Sequence, residues 1–235
     1  MSFEPQSTFG YGTAASAALA SESARVFMQR VYRWMSGGLF LTGTVAFYVA
    51  SNQAVFAAVA PYFKVMMVGT LGLVIAFSFL AHRVSGPVAA AMFLGYAVLN
   101  GLVFSTLFVV YQLGSIAAAF TITAATFGAL SVYGTVTKKD LSSWGTFLFM
   151  GLVGIIIAGV VNIFVGSAMI DFVTSCAGVL IFAGLTAYDT QKLRQFHASS
   201  GYSSAASLAI SGALTLYLDF INLFLSLLRL MDRRR

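Results

Sequence analysis

Charge is what this sequence has least of: 9% of its 235 residues are Asp, Glu, Lys or Arg, while 59% are apolar. A soluble domain carries about a quarter charged residues, so an ordinary water-facing surface is excluded. Acid is scarcer than base, with 7 Asp and Glu against 13 Lys and Arg and a net charge of +6. One cysteine is present, Cys176, inside an apolar run. It excludes an internal disulfide and reads as a small buried apolar group. The first 24 residues hold no Lys or Arg, which excludes the basic start of a cleavable signal peptide. Residues 1–24 are therefore expected to form a flexible cytoplasmic tail. The sequence also lacks an HExxH motif or a Cys/His cluster, so no zinc and no other cofactor is expected.

What the sequence has instead is a series of apolar segments: Trp34–Ala50, Val65–Ala81, Val88–Val110, Ser115–Val136, Trp144–Val165, Phe172–Tyr188 and Ser207–Leu228. A helical crossing of a bilayer needs about 20 mainly apolar residues. None of the segments alternates as a barrel strand does, and helices are then the remaining backbone solution in lipid. The expected fold is an all-α integral membrane bundle, with residues 25–235 as one seven-helix transmembrane domain and the lipid bilayer as its main partner. Connections are short, as in YQLG after the third segment, so sequential helices should be antiparallel neighbours. Only Gln191–Ala206 is long enough for a sizeable polar loop. The pairs Gly69/Gly72 and Gly151/Gly154 read as sites of close helix packing.

The basic residues set orientation rather than suggest nucleic acid, which is not an expected partner. With the N-terminus in the cytoplasm, Arg25, Arg30, Arg33, Arg83, Lys138, Lys139, Lys192 and Arg194 all fall inside, and Lys64 alone falls outside before the chain's end. That is the asymmetry of the positive-inside rule. Seven complete crossings would place Arg229, Arg233, Arg234 and Arg235 outside. A last segment that stops short would place them inside, which the same rule favours. Both topologies stay open at the level of charge.

Two acids fall where lipid should be. Asp189 ends the sixth segment and Asp219 lies inside the seventh. A carboxylate in hydrocarbon is costly and faces a bundle interior, a partner or water. Ser211, Thr215, Asp219, Asn222 and Ser226 follow one another at helical spacing, and so share one face. Such a stripe suits a hydrated path or an interhelical hydrogen-bond seam. Arg83, at the same cytoplasmic level as Asp189, is the expected countercharge, since a guanidinium can hold two carboxylates. Its plainer alternative is a helix-end anchor. If Asp189 and Asp219 meet, they share protons and titrate as a unit. When ionised, they could make a weak contact to a hard cation such as Ca²⁺, which favours oxygen ligands. Protonation would then bias the helices towards another arrangement.

Enzyme readings rank lower. Intramembrane aspartyl proteases pair a YD motif with GxGD and PAL. Tyr188–Asp189 supplies the first, but Tyr217 and Leu218 stand where glycines are needed, and Pro5, Pro61 and Pro87 are the only prolines. A rhomboid-type serine protease needs GxSG and an intramembrane histidine. This sequence has AISG at Ala209–Gly212, with His82 and His197 at membrane edges. No enzymatic activity is expected.

GLTAYDTQKL (Gly184–Leu193), GALTLYLDFINLFLSLLRL (Gly212–Leu230) and TKKDLSSWG (Thr137–Gly145) resemble the signature of the Bax inhibitor-1, or transmembrane Bax inhibitor motif, family. The resemblance covers about residues 25–235 and is closest to the bacterial branch. It implies seven helices with the last one central, and a pH-sensitive Ca²⁺ leak governed by a di-aspartyl pair. By motif position that pair falls on Asp189 and Asp219, and the paired arginine on Arg83. Some members carry an acid midway along the second helix that latches to the last. Here the region reads GTLGLVIAF, with Gly72 and no acid, so that latch is absent or differently made. The leading expectation is a proton-regulated calcium leak channel in a bacterial plasma membrane, acting on calcium ions and protons. The alternative is a non-transporting regulator that binds other membrane proteins, such as a membrane protease.

Overall fold

The computed structural model describes residues 9–81, 83–196 and 204–232. Among them every regular element is helical: α1 Phe9–Ser51, α2 Gln53–Val59, a short 3₁₀ turn Ala60–Tyr62, α3 Phe63–Leu80, α4 Gly86–Phe104, α5 Leu107–Val110, α6 Leu113–Val136, α7 Ser142–Val165, α8 Ala168–Phe196 and α9 Ala205–Asp232. Six stretches are long and apolar enough to cross a membrane: Gln53–Leu80, Gly86–Val110, Leu113–Val136, Ser142–Val165, Ala168–Gln195 and Ala205–Asp232. The seventh expected segment, Trp34–Ala50, lies in α1, where Ser36, Gly37, Gly38, Thr42, Gly43 and Thr44 dilute the apolar run. Helix α1 begins at Phe9, inside the stretch expected to be a tail.

Local chemistry sets the breaks. Asn52 caps α2, its Oδ1 accepting from the Val55 amide at 3.2 Å, and Pro61 opens the 3₁₀ turn. Pro87 opens α4 behind an extended Ser85, the position at which a missing N–H is harmless. Ser105 and Thr106 donate back to Leu102 O (2.7 Å) and Val103 O (2.8 Å) and separate α4 from α5; such back-bonding competes with the helical ladder. At the other end of α7, Gly166 takes the left-handed conformation (φ 64°), which glycine adopts without steric penalty.

The arrangement inverts the soluble rule that apolar means inside. In the most apolar stretch of α7, 6% of residues are buried, and the same holds for α3; for α9 the share is 72%. Lipid accepts apolar side chains as well as any protein core does, so the outer helices can be the greasiest and polar groups gather within. Helix α9 packs on α1, α4, α6 and α8, whereas α3 packs on α4 and α7 on α8. A cluster of buried apolar residues joins Leu216, Tyr217 and Leu228 of α9 to Val31 of α1, Phe77 of α3 and Phe93 of α4.

Helices α8 and α9 run antiparallel, side by side from Gly178 to Leu193 of α8 and from Gly212 to Ser226 of α9. A Cβ on Gly212 would meet Leu193 near one end, and a Cβ on Gly178 would lie 2.5 Å from Ser226 Oγ near the other. The expected polar loop Gln191–Ala206 is corrected: α8 continues through Phe196, and Gln191 is buried. Of the glycines read as packing sites, Gly151 would meet Ile181 and Gly69 would meet Leu99, while Gly72 and Gly154 face open space.

Candidate functional site

The site is built where α8 and α9 cross beside α7. The tail of α8 is fixed by Gln191, whose Nε2 donates to Lys139 O (2.8 Å) and whose Oε1 accepts from Leu141 N (2.9 Å). This clamps the basic loop before α7 onto α8. Within the loop Asp140 accepts from Ser142, at 2.9 Å from its amide, and these hydrogen bonds hold its carboxyl below the usual range. Arg194 Nη1 donates to Thr135 O on α6. Gly134 allows α6 to approach α8 closely, since a Cβ there would run into the Ala187 carbonyl.

With α8 held this way, Asp189 and Asp219 face each other at side-chain hydrogen-bonding range. Asp219 is 5% exposed and its Oδ2 has no protein partner. Leaving such an oxygen buried without a partner costs about 1–3 kcal/mol or more for a charged group. Both carboxyls open onto a half-open cavity of about 840 Å³, lined by residues of α3, α4, α7, α8 and α9. Thr215, Asn222 and Ser226 of the polar stripe line it with Asp219, as does Tyr96 from α4. Asn222 Nδ2 donates to Leu218 O and Ser226 Oγ to Asn222 O, each at 2.8 Å. Ser211 begins the stripe one turn before the cavity and accepts a 3.3 Å bond from Thr215 at its carbonyl.

Arg83 stands apart from the other expected site residues. It is exposed in the turn between α3 and α4, and among the described residues no ion pair joins it to Asp189 or Asp219. The cation that lines the cavity beside Asp189 is Lys192, one turn further along α8. Sequence reading missed Lys192 as a site residue, although its i+3 spacing from Asp189 is the signal that would have found it. It also missed Gln191, which polarity alone marks as loop. His82 and His197, weighed against a protease reading, lie outside the described residues, as do residues 1–8 and Arg233, Arg234 and Arg235. Among the described residues no three His, Cys, Asp or Glu side chains come together. The site is a carboxyl pair in a mainly apolar cavity crossed by one polar stripe, with the chemistry to exchange protons and to ligate a hard cation through oxygen.

Known proteins are similar to this chain over nearly its whole length. An uncharacterized protein of Deinococcus radiodurans is 46% identical over 215 residues, 91% of this chain and 93% of the relative. The inner membrane protein YbhL of Escherichia coli K12 is 44% identical over 218 residues, 90% of this chain and 93% of that protein. An uncharacterized protein of Borreliella burgdorferi is 41% identical over 214 residues, 89% and 92% of the two chains. The family model described as inhibitor of apoptosis-promoting Bax1 matches residues 24–235. With nearly the whole chain matched, including both aspartate helices, this multi-pass membrane protein belongs to the Bax inhibitor-1 family.

Proposed function

We propose that the protein is a proton-regulated leak channel for calcium or a similar cation, with Asp189 and Asp219 as its gate. The observation that carries the reading is the buried Asp219 Oδ2, without a protein partner, beside Asp189 on the wall of a cavity of about 840 Å³. One water needs only about 15 Å³ of such space, so the cavity can hold a hydrated file along the stripe. The carboxyl pair would bind the passing ion when ionised and release it on protonation. Calcium is cargo in this reading, no resident cofactor is needed, and no enzymatic step is assigned.

The same reading takes seven crossings, with α1 as the first and α9 innermost. Helix α9 has 28 residues, about 42 Å at 1.5 Å per residue, longer than a hydrocarbon core of about 30 Å. It pairs with α8 from Gly212 to Ser226. A helix antiparallel to a crossing helix along its length crosses too, and with the basic loops inside this favours a cytoplasmic N-terminus and an outer C-terminus. The inner membrane, where the printed name of YbhL puts that relative, is the proposed location.

Purified protein in liposomes should release trapped Ca²⁺ at a pH-dependent rate, and Asp219→Asn should flatten that dependence. Equal flux from empty and protein-containing vesicles would sink the reading. The second reading, a non-transporting regulator of other membrane proteins, draws on an apolar groove of about 670 Å³ between α1 and α6, floored by Phe220. It predicts vesicles no leakier than empty ones, together with membrane partners whose binding survives Asp219→Asn.

A further inference from the structure

Lys192 stands at the mouth of the same cavity, exposed, with its Nζ 5.5 Å from the centroid of the Tyr188 ring. The ring is held in turn by α7. Gly145 gives it room only by lacking a side chain, since a Cβ there would lie 2.6 Å from Tyr188 Cζ. The ammonium therefore has an aromatic rest one turn from Asp189, on the wall of the cavity that both aspartates line. Of the other cations at this end, Arg194 donates to α6, Lys138 and Lys139 are exposed in the loop before α7, and Arg83 is exposed in the α3–α4 turn. Arg229 lines the opposite end of the cavity. Tyr96, on α4, is the remaining titratable group on its wall.

We infer that Lys192 is a tethered cation that competes with permeating ions for the Asp189–Asp219 pair and so sets a preference for divalent over monovalent cations. The inference rests on the cation-leak reading above. Attraction to the carboxylates scales with ionic charge. A free monovalent ion brings no more charge than the ammonium already present, and the ammonium is held there at high effective concentration. A divalent ion brings twice the charge and, being hard, takes oxygen from both carboxylates at once. It can displace the ammonium where a monovalent ion cannot.

The test uses the full chain in liposomes, with K⁺ and Ca²⁺ fluxes measured for the wild type, Lys192→Gln and Lys192→Arg. Lys192→Gln should raise K⁺ flux relative to Ca²⁺ flux by about two- to fivefold, the size expected for removing one exposed charge interaction. Lys192→Arg, which keeps the charge, should keep the wild-type ratio. An unchanged ratio in Lys192→Gln, or the same rise in Lys192→Arg, overturns the role of Lys192 and leaves the leak reading standing. Wild-type flux no greater than that of empty vesicles overturns both.

Discussion

Tyr217 shows how one residue of α9 can serve the bundle while its neighbours serve the cavity. It lies two positions from both Thr215 and Asp219, which on a helix is about 200° from each. It therefore points away from the stripe. Its side chain is fully buried, and its ring meets Phe93 at 5.8 Å and Tyr96 at 5.7 Å between centroids. Thr42 Oγ1 donates to Ala97 O at 2.9 Å, so the 2.8 Å contact between Tyr217 and Thr42 is a bond donated by the phenol. One hydroxyl chain thus ties α9 to α1 and α4. Tyr217→Phe should lower stability by about 0.5–1.5 kcal/mol, because Thr42 keeps its own acceptor. Thermal unfolding in detergent measures this, and a loss several times larger would mean that the hydroxyl does more than join helices. The sequence offered Tyr217 only as the residue that spoils a protease motif.

Close approach between helices is decided by which glycines face a neighbour. Gly134 faces the Ala187 backbone, which cannot swing aside as a side chain can, whereas Gly154 faces open space. Gly134→Ala should cost about 1–3 kcal/mol by overpacking. Gly154→Ala should stay within about 0.5 kcal/mol of the wild type, as substitutions away from packed features do. Melting temperatures of the two variants, side by side, check the contrast; equal losses would contradict the α6–α8 contact. The two glycines are indistinguishable by composition, since both lie in long apolar runs. The extension of α8 through Phe196 was hidden for a related reason. Gln191 and Arg194 look like loop residues until their partners, Lys139, Leu141 and Thr135, are brought alongside by the fold.

For the whole molecule, the path of α9 carries the topology. If it crosses fully, its C-terminal end and the loop before α7 lie on opposite sides of the membrane. In a Cys176→Ser background, Asp232→Cys should react with an impermeant maleimide in intact spheroplasts. Lys139→Cys should react only after permeabilisation. Labelling of both from one side would reject seven crossings.

The sequence by itself determined the helical segments, the membrane class, the family and the polar stripe with Asp189 and Asp219. Each depends on hydrophobicity and helical period, which are local properties of the chain. Only the tertiary structure decided that the two carboxyls meet, that Lys192 rather than Arg83 shares the cavity wall with Asp189, and that α9 is mostly buried while α3 and α7 face outward. In lipid the contrast between apolar and polar no longer sorts inside from outside. Helix order then rests on small-residue contacts and a few hydrogen bonds between distant segments, and these exist only once the chain has packed.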